Sequence, residues 1–252
     1  MKIQYASDLH IEFPENKALL KATPLKPFGD ILVLAGDIVP FSVLDKHQDF
    51  FNYLSDNFEN TYWIAGNHEY YHADLNERSG VFHEKIKSNV HLLNNTTIMH
   101  DDVELIFTTL WSKISPANQW TIFNRMNDFR LIKHQNGLLS IELYNQQHEQ
   151  SFRFLKETFA TAISGKKVVV THHVPTFMNY PEAYRGDALN EAFAVELFDL
   201  IEQYQPELWI YGHTHGNVPD FAIDKTNLVT NQLGYVRNNE HALFSNGKIY
   251  EI

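Results

Sequence analysis

Residues 31–37 read Ile-Leu-Val-Leu-Ala-Gly-Asp, and the way this stretch ends decides how the rest of the chain is read. The run Ile31 to Ala35 is short, apolar and contains β-branched residues, the pattern of a strand. It stops at Gly36-Asp37, a turn former followed by a carboxylate. The same design recurs along the chain. Lys2–Ser7 (KIQYAS) runs into Asp8-Leu9-His10, and Thr61–Ala65 (TYWIA) into Gly66-Asn67-His68-Glu69. Lys167–Thr171 (KKVVVT) runs into His172-His173, and Glu207–Tyr211 (ELWIY) into Gly212-His213-Thr214-His215.

Segments of helical character lie between these strands: Leu44–Phe58, Leu75–Ser88, Ile141–Ile163 and Asp187–Tyr204. In the last, Leu189, Phe193, Leu197, Leu200 and Ile201 fall on one helical face. Strands alternating with helices predict a layered α/β core. Val90–Leu93, Thr96–His100 and Val103–Leu110 follow one another at turn-length gaps and are expected to be antiparallel neighbours. A mixed sheet system flanked by helices satisfies both patterns. Trp111–Ser140 has weak periodicity and reads as a long excursion that covers an active site. With no repeat and no linker, the 252 residues are expected to form a single domain, 1–252, carrying that insertion at about 111–140.

The composition narrows the chemistry. There is no Cys, so any metal must be held by nitrogen and oxygen. The formal net charge of -11 speaks against an extended nucleic-acid footprint, which depends on Lys and Arg neutralising phosphates. It leaves room for a small phosphorylated substrate, because bound cations can make a positive pocket in an acidic protein. No apolar run approaches the roughly 18 residues of a membrane span, and the first residues lack the zones of a signal peptide. A cytoplasmic, membrane-free protein is the expectation. The oligomeric state is not legible.

Open α/β sheets gather ligands at the carboxyl ends of their strands, so polar clusters remote in sequence can converge there. In Asp8-x-His10 and His213-x-His215 the paired side chains lie at i and i+2, which extended backbone projects to one side. Gly36, Gly66 and Gly212 stand where the chain must turn and where a Cβ would crowd a ligand.

The ordered set DLH, GD, GNHE, THH and GHTH, spanning residues 8–215, resembles the calcineurin-like metallophosphoesterase family. That resemblance implies a layered sandwich of two mixed β-sheets flanked by helices. It implies that Asp8, His10 and His215 bind one metal ion, that Asn67, His172 and His213 bind a second, and that Asp37 bridges both. Carboxylates, imidazoles and one amide suit Mn, Fe, Zn or Ni with little discrimination. The implied activity is hydrolysis of a phosphate ester by in-line attack of a metal-bridging hydroxide, with Asp37 and His68 as catalytic residues. His68 would protonate or stabilise the leaving oxygen. Glu69 either orients His68 or caps the next segment.

Each residue also has an ordinary reading. Asp8 and Asp37 could each cap a turn, and the GHTH imidazoles could be solvated; only their joint order favours a metal site. His173 follows a ligand on the strand and could line the substrate site, while Arg130 and Arg185 could contact phosphate, as could Asn67. Trp111, Asp128 and Phe129 are more simply packing residues of the excursion, and Asn231 and Tyr235 structural residues of a turn. A phosphodiester is favoured over a phosphomonoester, since Gly36-Asp37 runs into Ile-Val-Pro-Phe-Ser and lacks the Asp-Arg-Gly of related protein phosphatases. The alternatives are a nuclease of the same family and a non-catalytic scaffold that keeps the fold.

Overall fold

The computed structural model describes residues 1–161 and 165–252. In chain order the elements are β1 (Lys2–Ala6), α1 (Pro14–Ala22), β2 (Ile31–Ala35), α2 (Gln48–Asn57), β3 (Asn60–Ile64), β4 (Phe82–Lys87), β5 (Val90–Asn94), β6 (Thr96–His100) and β7 (Val103–Thr108). There follow α3 (Gln119–Arg125), α4 (Asp128–Leu131), β8 (Lys133–His134), β9 (Gly137–Leu138), α5 (Ile141–Ala160) and β10 (Lys166–Thr171). The chain then forms α6 (Phe198–Tyr204), β11 (Leu208–Tyr211), β12 (Phe221–Ile223), β13 (Thr226–Thr230) and β14 (Ile249–Glu251).

Two six-stranded sheets hold the molecule together, ordered β14-β1-β2-β3-β5-β4 and β12-β13-β11-β10-β7-β6. In each, four parallel central strands are flanked by antiparallel edges. The period of two decides which residue faces which layer. In β2, Ile31, Val33 and Ala35 pack into the space between the sheets with Val103, Phe107, Val168, Val170 and Ile210. Leu32 and Leu34 point the other way, onto Leu20 of α1 and Phe51 and Leu54 of α2. Outside the second sheet, Val169 and Trp209 meet Leu155 and Phe159 of α5 and Ile201 of α6. Burying such an aliphatic side chain contributes about 1.5–3 kcal/mol, so strands apolar on both faces are committed to the interior.

Three readings of the sequence change. Leu75–Ser88 is not a helix: a single 3-10 turn over Leu75–Arg78 leads into β4, which pairs antiparallel with β5. Phe82 and Ile86, which pack on the α2 side, are four apart, a spacing that serves a helix turn and a strand face equally. Asp187–Tyr204 is helical only at Asn190–Ala192 and in α6. Between them Val195 donates to Val174 O and Leu197 to Pro175 O, tying this stretch to the chain after β10. β5 and β6 are not paired with each other: β5 lies beside β3 in the first sheet, and β6 forms a hairpin with β7 in the second. Asn95, at φ 47°, turns the chain from one sheet to the other. Helix α5 starts where expected, with Ser140 Oγ accepting from Leu143 N. Its expected end at Ile163 lies outside the described residues.

The carboxyl ends of the parallel strands meet at one end of the sandwich. His10 N donates to Asp37 O (3.0 Å), Gly212 N to His172 O (3.0 Å) and Ser7 N to Asn231 O (3.0 Å). The first two bonds join neighbouring strand ends, and Thr109 Oγ1 on Ala65 O (2.7 Å) crosses between the sheets. No helix among the described residues is long and apolar enough to cross a membrane.

Candidate metal centre

The loops that leave β1, β2, β3, β10 and β11 bring Asp8, His10, Asp37, Asn67, His172, His213 and His215 to this end. Donor atoms of Asp8, His10, Asp37 and His215 lie within 4.8 Å of one another, as do those of Asp37, His172 and His213. Asp37 belongs to both groups. Its Oδ2 lies 3.8 Å from His10 Nε2 and its Oδ1 3.3 Å from His172 Nε2. Asn67 joins the second group with Oδ1 3.3 Å from His172 Nε2.

The backbone does not reach this arrangement in the way the i, i+2 spacing suggests. Asp8 (φ 55°), His10 (45°), Asp37 (56°), His213 (80°) and His215 (54°) all adopt the left-handed conformation, not an extended one. Non-glycine residues held there cost of order 1–3 kcal/mol each and cluster at functional sites. Space is equally tight. A Cβ on Gly66 would stand 2.2 Å from Asp37 Oδ1, and one on Gly36, itself at φ +88°, would stand 2.4 Å from His172 Nδ1.

The donor set fits a pair of cations. His172 Nδ1 is 2.9 Å from Ala35 O, His213 Nε2 is 3.2 Å from Ala192 O, and His215 Nδ1 is 2.8 Å from Glu240 Oε2. Acceptors on the outer nitrogens keep one proton there and leave the inner nitrogens to take a cation or, without one, a second proton, the arrangement that orients histidine ligands. Inner nitrogens then face each other at 3.0 Å, in His10 Nε2–His215 Nε2 and again in His172 Nε2–His213 Nδ1. Two lone pairs at that distance repel unless positive charge lies beside them. Asp8 and Asp37, 0% and 1% exposed, make the same demand. Burial alone would lower the His172 imidazole, but Asp37 and Asp8 outweigh it and raise it to about 9. Burial would raise Asp37, but His172 and His68 hold it well below the usual carboxylate range.

His68 stacks on Tyr71 (4.1 Å between centroids) and lines a cavity of about 360 Å³ beside the centre. Its Nε2 lies 3.4 Å from Tyr235 Oη and its Nδ1 3.8 Å from Glu12 Oε1. Burial favours the neutral ring, yet the carboxylates of Asp37 and Glu12 raise it to about 8. Glu69 neither orients His68 nor caps a helix. Fully buried, it accepts from Asp37 N (2.9 Å), Ile38 N (2.6 Å), Gly66 N (2.7 Å) and Trp63 Nε1 (3.2 Å), stapling the β2 and β3 loops together.

Of the suggested substrate contacts, Asn67 lines the cavity and the other three lie elsewhere. His173 is buried behind the centre, with Nε2 3.2 Å from Tyr144 Oη and its ring 4.3 Å from His213, and it does not line the cavity. Successive strand-end residues point to opposite sides, so His172 takes the inward place. Arg130 is not in the cavity wall, since its guanidinium donates to Asn124 O and Met126 O. Arg185 is exposed and pairs with Glu182 at 2.9 Å. The excursion does reach the site through Arg125, Met126 and Asn127, which line the cavity, while Trp111 and Phe129 pack in the core.

Four further residues belong to the site: Glu12 and Glu240, which the sequence did not single out, and Asp128 and Tyr235, which were expected only to pack and to shape a turn. Asp128 Oδ1 accepts from Asn67 Nδ2 (2.9 Å) and Tyr71 Oη (2.7 Å), which turns Asn67 Oδ1 toward the centre. Glu240 supports His215, and the Tyr235 ring packs against His10 and His215 at 4.8 and 4.5 Å. Glu12 was signalled by its place two residues after His10, a continuation of the Asp8-x-His10 spacing. The other three, Asp128 at the start of α4 and Tyr235 and Glu240 near the C-terminal end, come from segments distant in sequence. Asn231 is structural, bonding Tyr5 O, Ser245 O and Ser245 N.

Comparison with known proteins agrees with this geometry. The chain is 33% identical over 266 residues to an uncharacterized protein of Acanthamoeba polyphaga mimivirus, covering 94% of this chain and 93% of that protein. Its fold is similar to that of the phosphopantetheinyl hydrolase of Mycobacterium tuberculosis, with a TM-score of 0.71 at 15% identity over 94% of this chain and 90% of that one. The sequence pattern of the calcineurin-like phosphoesterases matches residues 1–217, and the chain therefore belongs to the calcineurin-like phosphoesterase family.

Proposed function

We propose that the protein hydrolyses a small organic phosphodiester at a dinuclear centre held by Asp8, His10, Asp37, Asn67, His172, His213 and His215. The observation that carries this is the sharing of Asp37 between two groups of converging donors. When bound, two such cations supply a nucleophile at neutral pH and neutralise charge on the phosphoryl oxygens. Nitrogen and oxygen donors of this kind suit Mn, Fe, Zn or Ni.

The chain's own groups divide the remaining work. Asp37 bridges the two halves, and the left-handed loops hold the donors before substrate arrives. His68, charged through its neighbours, presents Nε2 to the cavity and delivers a proton to the leaving oxygen. Among the described residues Arg125 is the only Lys or Arg in the cavity wall, and its Nη1 lies 3.8 Å from Asp187 Oδ1. Asp187 and Glu240 add negative charge to the same wall. A wall of this sign favours a singly charged diester over a doubly charged monoester. Tyr71, Tyr180, Tyr184, Phe193 and Tyr235 offer apolar surface for the ester groups.

Turnover of bis(4-nitrophenyl) phosphate and 4-nitrophenyl phosphate with Mn tests the reading. The diester is expected to show the higher kcat/KM, and Asp37→Asn is expected to abolish both activities. A preference for the monoester overturns the substrate assignment. No turnover with Mn, Fe, Zn or Ni from neutral to alkaline pH overturns the enzyme reading and leaves the non-catalytic scaffold.

A further inference from the structure

Glu12 stands behind His10 and His68, on the loop from β1 to α1, and is not part of the cavity wall. Its Oε1 is 3.3 Å from His10 Nδ1 and 3.8 Å from His68 Nδ1, and its side chain is 15% exposed. Its Oε2 is buried and has no hydrogen-bond partner among the described residues. A buried carboxylate oxygen without a donor is costly, about 1–3 kcal/mol or more for a charged group, and such exceptions in native proteins mark a functional role or an ordered water or ion.

His68 needs such a partner. Its ring stacks on Tyr71 with the two planes 30° apart, and its Nε2 faces the cavity near Tyr235 Oη. Nδ1 therefore points away from the substrate, toward Glu12. The acid next to it in sequence, Glu69, is already taken up by four N–H donors and cannot serve. The carboxylate, Nδ1 and Nε2 lie in series, the layout by which an acid fixes the tautomer of a catalytic imidazole.

We propose that Glu12 is the positioning residue of His68, which rests on the reading of His68 as the group that protonates the leaving oxygen. Glu12 holds the Nδ1 proton, so that the proton given up is the one on Nε2. As a hydroxide ion bonds to phosphorus through its oxygen and the ester P–O bond breaks, the departing oxygen keeps the electron pair of that bond and takes the Nε2 proton. His68 is left neutral, with Nδ1–H still directed at Glu12, and regains a proton from solvent.

The test compares phenyl and 4-nitrophenyl phosphodiesters on Glu12→Ala, Glu12→Gln, His68→Ala and the Glu12→Ala/His68→Ala double variant, with metal content measured on each. A poor leaving group needs the proton and a good one does not. At saturating Mn, where any weakening at His10 is overcome and metal content is unchanged, Glu12→Ala is expected to lower kcat about 10- to 100-fold on the phenyl ester and only a few fold on the 4-nitrophenyl ester. Glu12→Gln, which can still accept from Nδ1–H, is expected to recover part of the loss, and the double variant to be no worse than His68→Ala. Equal losses on both esters, or loss of metal from both Glu12 variants, overturn the proposal. If His68→Ala itself shows no dependence on the leaving group, the His68 reading fails instead, and Glu12 with it. Should Glu12→Ala not fold, the contrast between the two esters in Glu12→Gln decides alone, and its absence overturns the proposal.

Discussion

His172 Nε2 and His213 Nδ1 stand 3.0 Å apart, with the outer nitrogen of each ring on a backbone carbonyl. Neither ring can turn away without stranding a buried N–H. In the metal-free protein the carboxylates keep a proton on His172, raised to about 9, and this proton occupies the place a cation would take. The sign follows directly: below about pH 9 a metal ion must displace the proton, so apparent affinity falls as the pH falls. Titration of the apo-protein with Mn at pH 6.5, 7.5 and 8.5, in buffers of differing ionisation enthalpy, is expected to show tighter binding at higher pH and proton release. Binding that does not vary with pH contradicts the assignment of His172.

His68 is raised to about 8 in the absence of metal, and the protonated ring is the active form of an acid. Activity that needs it is present below its pKa and lost as the pH rises through it. Two cations nearby repel the imidazolium and bring this limb lower. The kcat profile on the phenyl diester is therefore expected to fall with a midpoint at or below about pH 8. In His68→Asn, kcat is expected to drop about 100-fold or more, with the limb gone and both metal ions retained. A pH profile unchanged in His68→Asn contradicts this.

Asp128 fixes the amide of Asn67 by accepting from Nδ2. Asp128→Ala frees the amide to turn its NH₂ toward the centre. The variant is expected to bind the second ion about 10- to 100-fold more weakly while the first site is little changed, as measured by metal titration. Equal weakening at both sites points to general disruption of the fold instead.

Glu69 acts on stability more than on chemistry. Glu69→Ala strands the N–H groups of Asp37, Ile38 and Gly66 together with the Trp63 indole, all now on Glu69. With about 1–3 kcal/mol for each buried unpaired donor, partly relieved by water entry, a loss of about 3 kcal/mol or more is expected in urea unfolding of the apo-protein. A loss below about 1 kcal/mol shows that the staple is not needed.

The ligand-bearing ends of the strands were legible because each couples a doubly apolar run to a glycine or polar break, a local signal that tertiary structure does not alter. Direction was legible for the right result and the wrong reason: the paired side chains of Asp8 and His10 converge through left-handed turns, not through an extended strand. β4 was not legible, since Phe82 and Ile86 satisfy both periods, and only the antiparallel pairing with β5 decides between them. The jump from β5 to β6 across the two sheets depends on Asn95 adopting φ 47°, which short gaps between strands do not reveal. Asp128, Glu240 and Tyr235 reach the centre from segments 20 or more residues away from the groups they support, as the His215–Tyr235 and His215–Glu240 contacts illustrate. Arg130 and Arg185 were proposed from their charge and their place on segments near the site, and neither says which way a side chain faces.

The central claim is that Asp37 joins two cation sites, and anomalous difference maps from crystals grown with Mn test it most directly. The expected result is two peaks per chain about 3.5–4 Å apart, one within coordinating distance of Asp8, His10, Asp37 and His215 and the other of Asp37, Asn67, His172 and His213. A single peak, or peaks that do not share Asp37, would contradict it.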